Sequence, residues 1–494
     1  MIKQLMGIDI GTSACKVAVF DQDGQVLATA NEPYKVYYPA LGWAEQDPDE
    51  WWQAIVAAIK TVLDSPLVDS SLIAGIGIDG QSWSAIPVDK EGNALARTPI
   101  WMDTRARDIC DRVKDRIGED EIFKVAGNDF LPSYTTPKMI WFKEEHPDIF
   151  AKTYKFLQSN SYIALKLTGI MSQDLSQGYG IHFFDMDKLS YDEDLARKMG
   201  LSVDLLPELY GCDQIVGGVT AFAAALTGLK EGTPVVAGGL DAACGTLGAG
   251  VYKPGQTQEQ GGQAGGMSIC QDKSLGDKRL ILGTHVVPGL WLLQGGSVGG
   301  GGTLKWFRQE FGQDMSFDDL TAEASQVSAG SDGVVFLPYM SGERSPIWDP
   351  DAKGVYYGLG FDKTRGHMIR ATLEGVAYSL EHNLRIAYQA GAQVDCLNAM
   401  GGAANSALWT QIKADVTGKT IVVPASDTAS TLGAAILAGV GTGVYTSYEE
   451  AVNKTIAIKK TYQPDMEKHK LYKKRMDLYL ELYEDLQNTF KKYK

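Results

Sequence analysis

Hydrophobic and polar positions alternate between two regimes along this chain. Gln4 to Ile10 is an apolar run interrupted by a single acid, Asp9, and it reads as a buried strand. Gly11-Thr12-Ser13 then marks a tight turn, Lys16 to Asp21 a return strand, and Asp23-Gly24 a second turn into Val26 to Ala30. A helix is expected from Asp47, where Asp47-Pro48-Asp49-Glu50 supplies a cap, a first-turn proline and first-turn acids. Leu72 to Ile78 reads as another buried strand, ending in Asp79-Gly80-Gln81-Ser82-Trp83. A three-stranded meander followed by alternating helix and strand predicts an α/β layer fold with a mixed sheet.

The second half opens in the same way. Thr257 to Gln260 leads into a glycine turn, Gly261 to Gly266, and the chain resumes with Met267 to Cys270. This echo suggests two related domains with a boundary near residue 246, giving units 1–246 and 247–494. At the C-terminus, Tyr472, Met476, Tyr479, Tyr483, Leu486 and Phe490 recur every three or four residues. That spacing predicts an amphipathic helix packed on the body of the protein.

With 494 residues, the chain exceeds the roughly 250–300 that one core supports, so two domains are expected. A net charge of −15 without clustered basic residues argues against nucleic acid as a partner. The six cysteines form no Cys-x-x-Cys pair, which disfavours zinc sites and a disulfide framework. No apolar run approaches the roughly 20 residues needed to span a bilayer. The N-terminus reads as the start of a strand, so a cytoplasmic location and no membrane partner are expected.

Three features point to chemistry. In Gly7-Ile-Asp-Ile-Gly-Thr-Ser-Ala-Cys-Lys16, a strand closes on Asp9 before a Gly-Thr-Ser turn. Backbone amides and hydroxyls there can surround a phosphate, while the Asp9 carboxylate can hold Mg²⁺ through water. No Gly-Lys-Ser or Gly-Lys-Thr follows, so this is not a Walker loop. Glycine-rich segments recur at Gly261–Gly266, Gly295–Gly302 and Ala399–Asn405, as expected where backbone approaches a ligand closely. Finally, Pro234-Val-Val-Ala-Gly-Gly-Leu-Asp-Ala-Ala-Cys-Gly245 places one acid, Asp241, among small residues at a strand end. A buried acid needs a partner or a task, and the alternative task is to cap the helix that follows.

The chain resembles the FGGY carbohydrate kinases. The resemblance rests on Ser133-Tyr-Thr-Thr-Pro-Lys-Met-Ile-Trp141 and on Gly354-Val-Tyr-Tyr-Gly-Leu359 continuing through His367 to Ala371-Thr-Leu-Glu374, which fit the two family signatures in order. Trp43 to Trp52, Ile100 to Arg105 and Phe336 to Pro346 are similar to xylulokinase segments. The resemblance implies two actin-like, ribonuclease H-like domains enclosing a sugar and ATP. By the same resemblance Asp241 is the catalytic base, and Gln81, Ser82, Trp83 and Asp103 hold the sugar. Asp103 has a competing use as an ion-pair partner of Arg105 or Arg107. Thr12, Ser13 and Lys16 would belong to a first phosphate loop, Gly262 and Gln263 to a second, and Gly301, Lys305, Gly402 and Asn405 to the adenosine and phosphate site. Asp9 and Asp241 would be the acids near Mg²⁺.

Three positions depart from the pattern. Ser82-Trp83 stands where xylulokinases carry Met-His, Gly262-Gln-Ala-Gly265 lacks the usual threonine, and Ala242 replaces an amide side chain. The expected function is phosphorylation of a small carbohydrate, D-xylulose first, with another ketose, a polyol or a sugar acid as alternatives. A non-catalytic sugar or nucleotide sensor is the rival reading, and a homodimer is compatible with either.

Overall fold

The computed structural model describes residues 3–312, 314–425 and 428–492. Among these residues two seven-stranded mixed sheets dominate. The first contains β1 (Gln4–Ile10), β2 (Ala14–Asp21), β3 (Val26–Pro33), β4 (Ile73–Gly80), β5 (Ile215–Gly218), β6 (Pro234–Val236) and β7 (Gly239–Leu240). The second contains β8 (Gln256–Gly261), β9 (Gly265–Gln271), β10 (Ile281–Thr284), β11 (Trp291–Ser297), β12 (Cys396–Met400), β13 (Thr420–Pro424) and β14 (Ile458–Tyr462).

The two sheets share one plan. In the first, β1, β2 and β3 form an antiparallel meander, β4 joins β1 in parallel, β6 joins β4 in parallel, and β5 closes the edge antiparallel to β6. In the second, β8, β9 and β11 form the meander, β12 and β13 add in parallel, and β14 closes antiparallel. The echo expected from the glycine turns is thus a repeat of strand order and direction. Parallel strands need crossover helices, which cover the faces and account for the uniformly buried pattern of β1 and β4.

The helices that position the site are α1 (Pro48–Leu63), α2 (Thr135–Glu145), α3 (Ser159–Thr168), α4 (Asp241–Gly248), α5 (Gly301–Phe311), α6 (Phe317–Ser325), α7 (Arg365–Gln389), α8 (Ala407–Thr417), α9 (Ala429–Gly441) and α10 (Met466–Phe490). Helix α1 starts as its sequence predicts, with the Asp47 side chain accepting from the Asp49 amide. Helix α10 buries Tyr472, Met476 and Tyr479 against α7 and α8, as its spacing predicts.

Helices α4 and α9 run between the two sheets. Thr246 on α4 donates to Gln258 of β8 at 2.8 Å, and Asn398 of β12 donates to the Ala249 carbonyl at 2.8 Å. Helix α9, from the C-terminal side of the boundary expected at residue 246, packs against β1, β4 and α4. Glycines permit that approach: a Cβ on Gly7 would lie 1.9 Å from the Thr431 carbonyl oxygen, and one on Gly77 1.9 Å from that of Ala434. Backbone therefore touches backbone along this seam.

Candidate active site

Strands β1, β4 and β7 are parallel neighbours, so their carboxyl ends open on one edge of the first sheet. Each end carries an acid. Asp9 pairs in register with Asp79, and Asp79 with Gly239, two residues before Asp241. Lys16 lies opposite Asp9 on β2.

Asp79 is fully buried and its carboxylate oxygens meet no hydrogen-bond donor. The group in contact with it is the Asp9 carboxylate, so only a shared proton can join the two. Burial first, then the charge of Asp9, pushes Asp79 well above the carboxylate range. Burial also raises Asp9, against the lowering effects of its contact with Asp79 and the charge of Lys16.

Asp241 is the first residue of α4, and its carboxylate accepts from the Ala242 amide at 2.6 Å. The cap position falls one residue earlier, on Leu240, which has no capping side chain. The helix-cap alternative for Asp241 is therefore not realised. Burial and then the charge of Asp9 push its pKa up to about 7, with the Ala242 amide opposing them. The turn is held from beneath: the Leu240 amide donates to Ser176 Oγ at 2.8 Å, and Ser176 donates to the buried Asp174 at 2.6 Å.

The expected sugar residues divide. Gln81 is buried, its Nε2 donating to Gln46 Oε1 at 2.6 Å, while its own Oε1 has no partner. Gln46 in turn donates to the Thr12 carbonyl at 2.7 Å, tying the Gly11-Thr12-Ser13 turn to the loop after β4. Ser82 Oγ accepts from the Tyr179 hydroxyl at 2.9 Å. Trp83 has φ 61°, a left-handed conformation that costs a bulky residue about 1–2 kcal/mol. Its ring stacks on Tyr134 at 4.1 Å, so it forms part of an aromatic wall and is not a lone surface tryptophan.

Asp103 does not fit the sugar role carried over to it. It is fully buried, held by Arg105 in a bidentate pair at 2.8–3.0 Å and by the Ala44 amide at 2.7 Å. Arg105 also pairs with Glu45 and lies over the Trp43 and Trp141 rings. The competing ion pair with Arg105 is the arrangement present. It anchors the loop whose Trp101 donates to Thr12 Oγ1 at 3.0 Å. Ser13, beside Thr12, is exposed.

On the second sheet, a cavity of about 470 Å³ gathers Gly262, Gln263, Gly301, Lys305, Gly402 and Asn405 from three separate segments. Leu304, Phe317 and Trp409 add apolar walls, a suitable surround for a flat heterocycle. The altered glycine turn has an unexpected use: the Gly262 carbonyl accepts from the Gly301 amide at 2.7 Å, and that of Gln263 from Gly302 at 2.9 Å. The first two amides of α5, which could otherwise bind phosphate, are occupied by this turn. Gln263 is exposed at the cavity, and Lys305 is exposed on α5.

Among the described residues no group of three or more His, Cys, Asp or Glu side chains is arranged to hold a metal ion. Magnesium keeps several waters and binds through one or two carboxylates plus phosphate oxygens. Asp9 and Asp241, both half-buried on the open edge, are donors of that kind. Sequence reasoning passed over Asp79, although Ile78-Asp79-Gly80 mirrors the acid at the end of β1. Phe317 and Trp409 carried no recognisable signal.

Two repeated mixed sheets, a row of acids at the parallel strand ends of one and a glycine-lined cavity on the other mark a two-domain phosphotransferase of the actin-like type. Models of the N-terminal and C-terminal domains of the FGGY family of carbohydrate kinases match residues 4–248 and 277–442. The chain belongs to that family and is a sugar kinase. It is 30% identical to the xylulose kinase of Bacillus subtilis over 498 residues, covering 100% of both chains. It is also 30% identical to the gluconokinase of Bacillus licheniformis over 503 residues, covering 99% of this chain and 97% of the relative. The crystal structure of ligand-bound xylulose kinase from Lactobacillus acidophilus superposes with a TM-score of 0.92 at 25% identity, covering 100% of both chains. Among the described residues no helix is long and apolar enough to cross a membrane.

Proposed function

We propose that this kinase transfers the γ-phosphoryl group of ATP to a hydroxyl of D-xylulose, giving D-xylulose 5-phosphate, with Asp241 as the general base. The observation that carries the base assignment is the position of Asp241. It is the first residue of α4, half-buried at a strand end, on the edge shared with Asp9 and with a pKa near neutrality. Such a carboxylate accepts a proton from an alcohol effectively around pH 7. Phosphoryl transfer has a loose transition state, so alignment and charge neutralisation provide most of the acceleration, and the base acts late.

The sugar lies, in this reading, against the Gln81-Ser82-Trp83 loop, with the unpartnered Gln81 Oε1 as an acceptor and the aromatic wall against a carbon face. Thr12, Ser13 and Lys16 face the transferred phosphate from the first sheet. Gln263, Lys305, Gly402 and Asn405 surround the nucleotide, whose base packs on Phe317 and Trp409. Asp9 and Asp241 would hold Mg²⁺, which would supply neutralisation of phosphate charge.

Full-length similarity to xylulose kinases supports the ketose. A second reading, phosphorylation of a sugar acid, is favoured by the gluconokinase relative at equal identity, and Ser82-Trp83 departs from the xylulokinase Met-His. The deciding experiment measures ADP release with D-xylulose, other pentuloses and hexuloses, polyols and aldonates. The ketose reading requires the highest kcat/KM with D-xylulose. A higher value with D-gluconate moves the assignment to the second reading, and no release with any compound contradicts both.

A further inference from the structure

The signature segment Ser133–Trp141 contains a lysine, Lys138, that phosphoryl transfer leaves without a task. Lys138 is on α2, fully buried. The charges acting on it, the Asp103 carboxylate and the Arg105 guanidinium, are paired with each other. Its Nζ instead donates to three main-chain carbonyls: Ser133 at 2.6 Å, Ile100 at 2.7 Å and Trp83 at 2.9 Å. Burial lowers its pKa to about 7, and the three carbonyl dipoles offset that cost.

The acceptors lie on three different loops. Trp83 ends the Gln81-Ser82-Trp83 loop after β4. Ile100 starts the loop carrying Trp101 and Asp103, and Ser133 leads into α2. An ammonium has three donors, and each is used on a separate loop, an arrangement neither an amide nor a thioether can reproduce. The carbonyl held from the β4 loop is that of Trp83, the tryptophan at φ 61°. A residue in that conformation persists only where its surroundings enforce it.

We propose that Lys138 is a positioning residue for the carbohydrate: by joining these three loops it fixes the sugar pocket and sets the grip on the sugar without acting on the nucleotide. The inference rests on the sugar-kinase reading of the cleft. It places the role of this family-signature lysine in pocket geometry, with no contact of its own to the glycine-lined cavity.

The test compares wild type with Lys138→Met, which removes all three donors, and Lys138→Gln, which retains two on a shorter arm. Kinetics use the sugar that gives the highest wild-type turnover. Lys138→Met is expected to raise the sugar KM about tenfold or more while the ATP KM stays within about twofold, with Lys138→Gln between them. Amide hydrogen exchange should quicken in residues 81–84, 100–103 and 131–135 and stay unchanged in 261–265. Equal rises in both KM values, a loss confined to kcat, or unchanged exchange in the three loops overturns the proposal. If Lys138→Met does not fold, Lys138→Gln carries both readouts. If wild type turns over no sugar, the kinase reading fails, while unchanged exchange in the variant still refutes the lysine's role.

Discussion

Asp79 is a buried acid and Asp241 a half-buried one, and their surroundings give them different properties. Asp79 meets only another carboxylate, and burial and then the Asp9 charge push its pKa well above the carboxylate range. Asp241 has the Ala242 amide to stabilise its charge and ends with a pKa of about 7. A base must be ionised to accept a proton, so Asp241 is inactive below that value and active above it. We therefore expect kcat/KM for the sugar to rise tenfold per pH unit at low pH and level off above about 7. A profile flat from about pH 5.5 to 8.5 would remove Asp241 as the base. Asp103 illustrates the reverse case. Its local sequence, Asp-Thr-Arg, allowed a sugar ligand or an ion pair, and the choice was made by Trp43 and Trp141, distant residues that enclose Arg105.

Among the elements, those with local causes were legible in the sequence. The β1–β3 meander, the capped start of α1 and the spacing of α10 each follow from patterns a few residues long. The position of α9 was not legible, because it depends on glycines far apart in the chain meeting one helix. At this seam Gly7→Ala would drive a methyl group into the Thr431 carbonyl, and we expect a loss of about 3 kcal/mol or more in urea unfolding. Gly402→Ala, with open space around its Cβ, should change stability by less than about 0.5 kcal/mol. Equal stability of the two variants would mean that the seam is not a tight backbone contact. The turn Gly262-Gln-Ala-Gly265 was located correctly from its glycines. Its bonding to α5 was not legible, since carbonyl direction leaves no trace in residue identity.

For the whole molecule, the two sheets divide the work. The first provides the acids and the loops assigned to the sugar, the second provides the cavity assigned to the nucleotide, and α4 and α9 connect them. Strand order repeats although residue identity between the halves is low, because the repeat resides in sheet topology, which many apolar sequences satisfy. Closing such a cleft excludes water and protects ATP from hydrolysis. The central claim is that this scaffold phosphorylates a sugar through Asp241. Its most direct test is sugar-dependent ADP release by Asp241→Asn beside nucleotide binding by the same protein. The account predicts a fall in kcat of about 10²–10⁴-fold with nucleotide affinity unchanged. Turnover near the wild-type rate in Asp241→Asn would contradict it.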